Sequence, residues 1–245
     1  MGIKYQANED FFKDWSFEMA YVLGYFYADG SLEDASYLRG KYIRVSSVDK
    51  PTIVMIRALL QSRHTIVVRK REGTRRTQYL LRIGSHKLYD DLTKLGLYPN
   101  KSLTVRLPSI PDNFFSHFLR GYFDGDGCVF LETGKGVKKA RILKRISVIF
   151  TSGSKVFLEQ LDHKLKTTLL NKNHCIYTSQ RAYQLRFRTP ESIEILSFLY
   201  RNAPQNNYLR RKLKIFIKYL ILRPSRMTDE IKNILNSVNY GHVVK

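Results

Sequence analysis

Asp29 and Asp126 are the residues of this chain whose setting could do chemistry. Each closes an apolar, aromatic run and is followed by glycine. Leu23–Gly30 reads L-G-Y-F-Y-A-D-G, and Leu119–Gly127 reads L-R-G-Y-F-D-G-D-G. At an offset of 97 residues Gly24 falls on Gly121, Tyr25 on Tyr122, Phe26 on Phe123, Asp29 on Asp126 and Gly30 on Gly127. Residues 16–29 and 113–126 contain no proline and read as two buried helices. Small residues recur four apart, at Gly24/Ala28 and Gly121/Gly125, so they share one helix face and let two backbones approach closely. Glycine inside a helix costs roughly 1 kcal/mol against alanine, a cost that close approach would offset. Each helix is expected to stop at its glycine in the C′ position. The preceding Asp stands where the helix dipole disfavours negative charge by roughly 0.3–1 kcal/mol. If the helices pair along their small faces, the two carboxylates meet, and two like charges in one place call for a cation. A local rule broken twice in the same way points to function.

The rest of the chain must position these two segments. Its 245 residues can bury a large core in one or two domains, and 43% of them are hydrophobic. Lys and Arg number 42 against 21 Asp and Glu, for a formal charge of +21. Such an excess implies an anionic partner, nucleic acid first. No long apolar span is present, and no membrane partner is expected. Cys128 and Cys175 are too few for a disulfide framework or a zinc site, which fits a reducing intracellular compartment. The first 14 residues carry three acids and no apolar core, so no secretory signal is read there.

Taken in order, the chain predicts helix, two strands, helix, two strands, helix, and then repeats it. After the first Asp-containing helix come strands within 31–49, a helix opened by Pro51 and reaching Gln61, strands at 64–71 and 78–83, and a helix at 86–95 closed by Gly96. Residues 97–112, with three prolines, read as a linker between halves 1–96 and 113–222, and 223–245 as a tail. Tyr79–Ile83 aligns with Tyr183–Phe187 at an offset of 104, so about seven extra residues are expected near Thr133–Ala140. The fold class is α+β: two pseudo-symmetric halves, each a four-stranded antiparallel sheet backed by helices.

Strand alternation places Tyr79, Leu81, Ile83, Tyr183, Leu185 and Phe187 inward. Gln78, Leu80, Arg82, Gln184, Arg186 and Arg188 then face out. Arg44 on an earlier strand, Arg69, Arg71, Arg75 and Arg76 around the hairpin, and Lys139, Arg141 and Arg145 in the second half extend a basic face. A two-stranded ribbon fits the DNA major groove, where Arg and Gln pair bidentately with guanine and adenine. Strands of about 8 residues in two adjacent halves would cover roughly 50–60 Å, or about 15–20 base pairs. The two halves present different side chains, so the expected target is long and non-palindromic.

The two helix segments resemble the signature of the LAGLIDADG homing endonucleases, most closely at Val22–Gly30 and Phe118–Gly127. The two copies in one chain resemble the single-chain members, and the element order matches the family's αββαββα half over roughly residues 14–222. Tyr27 departs from the acid often found there, which Asp124 supplies in the second copy. The resemblance implies a monomeric, metal-dependent endonuclease that cuts both strands of double-stranded DNA and leaves short 3′ overhangs. It implies two or more Mg²⁺ ions held by Asp29 and Asp126 and by the backbone carbonyls of Ala28 and Gly125. Mn²⁺ is expected to substitute, and Ca²⁺ to bind without supporting cleavage. Lysines after the last strands of each half assist the chemistry in the family, and Lys101 and Lys212 are the candidates here, with Arg210 and Arg211 as rivals to the latter. An RNA maturase acting on intron RNA, or a non-cleaving DNA-binding protein, is the alternative. Both carboxylates are kept, which favours cleavage.

Overall fold

The computed structural model describes residues 5–35, 37, 40–70, 77–135, 141–172 and 174–238. The chain divides into two compact units, Met1–Gly125 and Asp126–Lys245. In the first, helix α1 (Phe17–Asp29) is followed by β1 (Gly30–Ala35), β2 (Gly40–Ser47), α2 (Lys50–Leu59), β3 (Ile66–Lys70), β4 (Thr77–Gly84) and α3 (His86–Lys94). A 3₁₀ turn, Lys101–Leu103, then leads into α4 (Asp112–Asp126). In the second unit β5 (Gly127–Lys135), β6 (Arg141–Ser152), α5 (Lys155–Leu165), β7 (Ile176–Ser179), β8 (Ala182–Phe187) and α6 (Thr189–Tyr200) repeat the order, and α7 (Arg210–Leu222) and α8 (Asp229–Ser237) follow. Both sheets are four-stranded and antiparallel, with orders β1-β2-β4-β3 and β5-β6-β8-β7.

Local chemistry explains the helix starts. The hydroxyls of Ser16, Ser85, Ser154 and Thr228 accept from the backbone N–H three residues on, satisfying a donor that would otherwise be orphaned. Pro51 and Pro190 sit in the first turns of α2 and α6, where their missing N–H costs nothing. The inner sheet faces bury Ile43, Val45, Leu81 and Ile83 in one unit and Val148, Phe150, Leu185 and Phe187 in the other.

The body of α4 belongs to the first unit because it packs on α1 through the small residues. A Cβ built on Gly24 would lie 1.9 Å from the Phe118 carbonyl oxygen, and one on Gly121 would lie 1.9 Å from that of Tyr21. Tyr21 and Phe118 are themselves 97 residues apart, so the contact is reciprocal. The Tyr21 hydroxyl donates to Asp124 Oδ2 at 2.8 Å across the same seam. Asp124 thus serves the helix pairing.

Further along α4, the fully buried Arg120 places Nη2 at 2.9 Å from His117 Nδ1, and Phe17 stacks on the imidazole with centroids 4.1 Å apart. Arginine can only donate, so Nδ1 accepts and the ring is neutral. Burial, with the Arg120 charge adding, pulls the His117 pKa down from 6.5 to about 4. The unfolded chain therefore binds the proton more tightly, and stability rises with pH between about 4 and 6.5. This contribution, on the order of 3 kcal/mol, is complete above that window and lost as pH falls through it. Urea titrations at pH 4.5 and 6.5 should show His117→Gln with a clearly shallower pH dependence than the parent; equal slopes would refute the assignment.

Three expectations are corrected. Gly30 does not end α1 in the left-handed C′ conformation: its φ is −89° and the chain runs straight into β1. Glycine is required there for space, because a Cβ would meet Phe26 at 2.5–2.7 Å. Leu80, expected to face solvent, is 5% exposed, between Ser46 and Val67 in the same cross-strand row. The extra residues of the second half lie in the first hairpin, as expected, but their number differs. Fifteen positions separate Gly30 from its partner Val45, and twenty-three separate Gly127 from Phe150. The hairpin thus gains eight, accommodated by longer strands with a bulge between Glu132 and Thr133, and one residue is lost before β8.

Candidate active site and nucleic-acid-binding face

Asp29 is the last residue of α1 and Asp126 the last of α4, and neither helix has a basic residue in its final turn. Asp29 is exposed and Asp126 half-buried. A Cβ on Gly125 would lie 3.4 Å from Asp29 Oδ2 and 2.4 Å from the Ala28 Cβ. The glycine therefore lets the backbone of α4 come against the Asp29 carboxylate. Tyr25, one turn before Asp29, hydrogen-bonds to Asp29 and to Ser47. Burial, with the Asp29 charge adding, raises its hydroxyl well above the usual phenol range, so it remains a donor to the carboxylate. Sequence reading passed over Tyr25; the signal was its recurrence as Tyr122 at the 97-residue offset, in each copy four residues before the Asp.

Lys101 lies in the segment read as a linker, but it is 5% exposed and its Nζ donates to the Tyr27 carbonyl at 3.0 Å. Three features hold it there. Asn100 takes the left-handed conformation (φ 58°), which asparagine tolerates, and aims the 3₁₀ turn inward. Val105 N–H bonds back to the Lys101 carbonyl at 2.8 Å. The Tyr27 hydroxyl donates to the Leu95 carbonyl at 2.6 Å, and a Cβ at Gly96, whose φ is +92°, would strike it. In the second unit Lys212, in the first turn of α7, is 3% exposed and its Nζ donates to the Gly127 carbonyl at 2.6 Å. Each unit thus places one buried ammonium on a main-chain carbonyl within two residues of the signature Asp.

The outer sheet faces carry the predicted basic residues. Arg44 and Arg82 are directly opposite each other on β2 and β4, Arg69 is opposite Gln78, and Arg145 opposite Glu132. Gln184 and Arg186 follow on β8, while Arg188 is past the strand, at the N-cap of α6. Arg71, Arg75, Arg76 and Lys139 lie outside the described residues, and only the strand position of Arg141 is described. The sequence reading omitted the acids on this face. Glu33 of β1 binds Arg44 Nη1 at 2.8 Å and Arg82 Nε at 2.7 Å, and Glu132 binds Arg145 Nε at 2.6 Å.

A duplicated α+β unit with a carboxylate at the end of a glycine-faced helix defines a LAGLIDADG-type fold. Residues 16–96 and 114–197 match the LAGLIDADG-like domain, and the chain belongs to that family. Among solved structures it is similar in fold to the LAGLIDADG meganuclease I-AabMI bound to uncleaved DNA, with a TM-score of 0.55 and 12% identity over 92% of this chain and 98% of that one. It is similar also to the I-LtrWI LAGLIDADG homing endonuclease bound to target DNA, with a TM-score of 0.55 and 12% identity over 95% and 98%. The homing endonuclease I-WcaI bound to its DNA recognition sequence gives a TM-score of 0.51 and 16% identity over 93% and 91%. A search of curated protein sequences finds no match to the chain. No described helix is long and apolar enough to cross a membrane.

Proposed function

We propose that this protein is a monomeric, site-specific endonuclease that hydrolyses both strands of a long, asymmetric double-stranded DNA target and leaves short 3′ overhangs. The observation that carries this reading is the repeated arrangement of a helix-terminal carboxylate with a buried lysine beside it, Asp29 with Lys101 and Asp126 with Lys212. A protein that only bound DNA would have no use for either element twice. Membership of the family and the likeness in fold to DNA-bound endonucleases support the same reading.

The donor set suits Mg²⁺. Among the described residues no group of three or more His, Cys, Asp or Glu could hold a metal ion. Mg²⁺ needs no such cage, being bound by one or two carboxylates with waters and substrate phosphates. The last carbonyls of an α-helix lack intrahelical donors. Those of Ala28 and Gly125 belong to the terminal turns that carry Asp29 and Asp126, so these four residues would hold two or more Mg²⁺ ions, and Mn²⁺ would serve in their place. Bound there, Mg²⁺ would supply a water activated for attack and neutralise charge on the scissile phosphate. Tyr25 orients the Asp29 carboxylate through its hydrogen bond. Lys101 and Lys212 add fixed positive charge that stabilises the developing negative charge on each strand.

Supercoiled plasmids carrying a randomised insert test the proposal. Linear product should form at one long sequence with Mg²⁺, with short 3′ overhangs, while Ca²⁺ supports binding alone. Tight, salt-sensitive binding with no cutting in any metal would instead indicate a maturase or a non-cleaving DNA-binding protein, with RNA as the next ligand to try.

A further inference from the structure

Three arginines of the outer sheet faces, Arg44, Arg82 and Arg145, are already engaged by acids, and those ion pairs contribute little to folding. Arg44 and Arg82 are directly opposite each other, an unfavourable placement for like charges. Glu33 spans them, with Oε1 on Arg44 Nη1 and Oε2 on Arg82 Nε, while Ser31 Oγ accepts from Arg44 Nε at 3.1 Å. The guanidinium of Arg82 also lies 3.4 Å over the Tyr42 ring. In the second unit Glu132 faces Arg145 in register and accepts from two of its nitrogens, Nε at 2.6 Å and Nη2 at 3.1 Å, with no second described arginine to neutralise. All five ion-paired side chains are partly solvent-exposed, where such pairs contribute little to stability.

On a chain of charge +21 these carboxylates locally oppose the approach of a polyanion. A phosphate offers an arginine only acceptors, so seating it there leaves the glutamate facing another negative charge. A G·C base pair offers more in the major groove: guanine O6 and N7 accept from arginine, and the neighbouring cytosine N4 amine donates to a carboxylate. An A·T pair supplies the amine without the two adjacent purine acceptors. We infer that Glu33, with Arg44 and Arg82, and Glu132, with Arg145, are specificity-determining residues that each read a G·C pair and suppress binding to any other DNA. The inference rests on the endonuclease reading, since it needs a cognate duplex to be read.

The test is selection by binding from a randomised duplex library in Ca²⁺, followed by salt titration on a duplex unrelated to the selected site. Glu33→Gln should lose roughly 5- to 100-fold of the preference for G·C at one position in one half of the target. Its binding to the unrelated duplex should tighten, with a log–log salt slope steeper by about 1, as a freed arginine finds a phosphate. Glu132→Gln should do the same at a position in the other half. Variants that enrich the same site with the same tolerance, or that weaken on cognate and unrelated DNA equally, overturn the inference and leave the endonuclease reading standing. A parent chain that enriches no sequence removes both.

Discussion

Gly121→Ala destabilises the protein by at least about 4 kcal/mol, beyond the range of ordinary overpacking. Its added methyl would lie 1.9 Å from the Tyr21 carbonyl oxygen and 2.9 Å from the Tyr25 nitrogen, both backbone atoms of a helix nine of whose residues are buried. Neither helix can yield without losing the seam. The sign makes the test sharp, because alanine is the better helix former by roughly 1 kcal/mol. Without the close approach the variant would be the more stable protein. Gly84→Ala serves as the control: its methyl would meet only ring atoms of Tyr42 at 3.1–3.3 Å, and its effect should be small. Urea unfolding of the three proteins decides, and a Gly121→Ala midpoint at or above that of the parent would refute the seam.

Asp126→Asn, and separately Asp29→Asn, cut the rate of double-strand cleavage by about 10³-fold or more. On the proposed reading, loss of a carboxylate that holds the metal would forfeit several kcal/mol of transition-state stabilisation, at 1.36 kcal/mol per factor of ten. Affinity for the same duplex without divalent metal should stay within about tenfold, since the change is nearly isosteric and distant in sequence from the sheet arginines. The variants should also melt slightly higher. Each removes a negative charge from a helix C-terminus, worth roughly 0.3–1 kcal/mol. Higher stability with lost activity is the expected sign of a residue kept for function. Cleavage within tenfold of the parent in either variant would show that its carboxylate does not hold the metal.

Much of this architecture was legible because periodicity and repetition are properties of the sequence itself. The 97-residue echo located both helices and both carboxylates, and the Gly24/Ala28 and Gly121/Gly125 spacings anticipated the seam. What escaped depended on who sits beside whom. Leu80 lies between residues of two other strands and is buried, which its alternation alone did not reveal. Lys101 was a candidate by resemblance, but its burial was not legible, because the left-handed turn at Asn100 that precedes it leaves no periodic trace. Glu33 is one of two adjacent acids in the sequence, with Asp34, and becomes a clamp only once β1, β2 and β4 are in register.

The pairing of Tyr21 with Gly121 and of Phe118 with Gly24 also sets a timetable for biosynthesis. At about 5–20 residues per second, a ribosome that has delivered Tyr21 needs roughly 5–20 s more to deliver Phe118. Over that interval the apolar surface of α1 has a sheet on which to begin folding but no partner helix. The first half cannot close on itself as a finished domain while the chain grows. A nascent chain in this state exposes an aromatic helix for many times longer than small domains need to fold, and so presents a natural client surface to ribosome-associated chaperones.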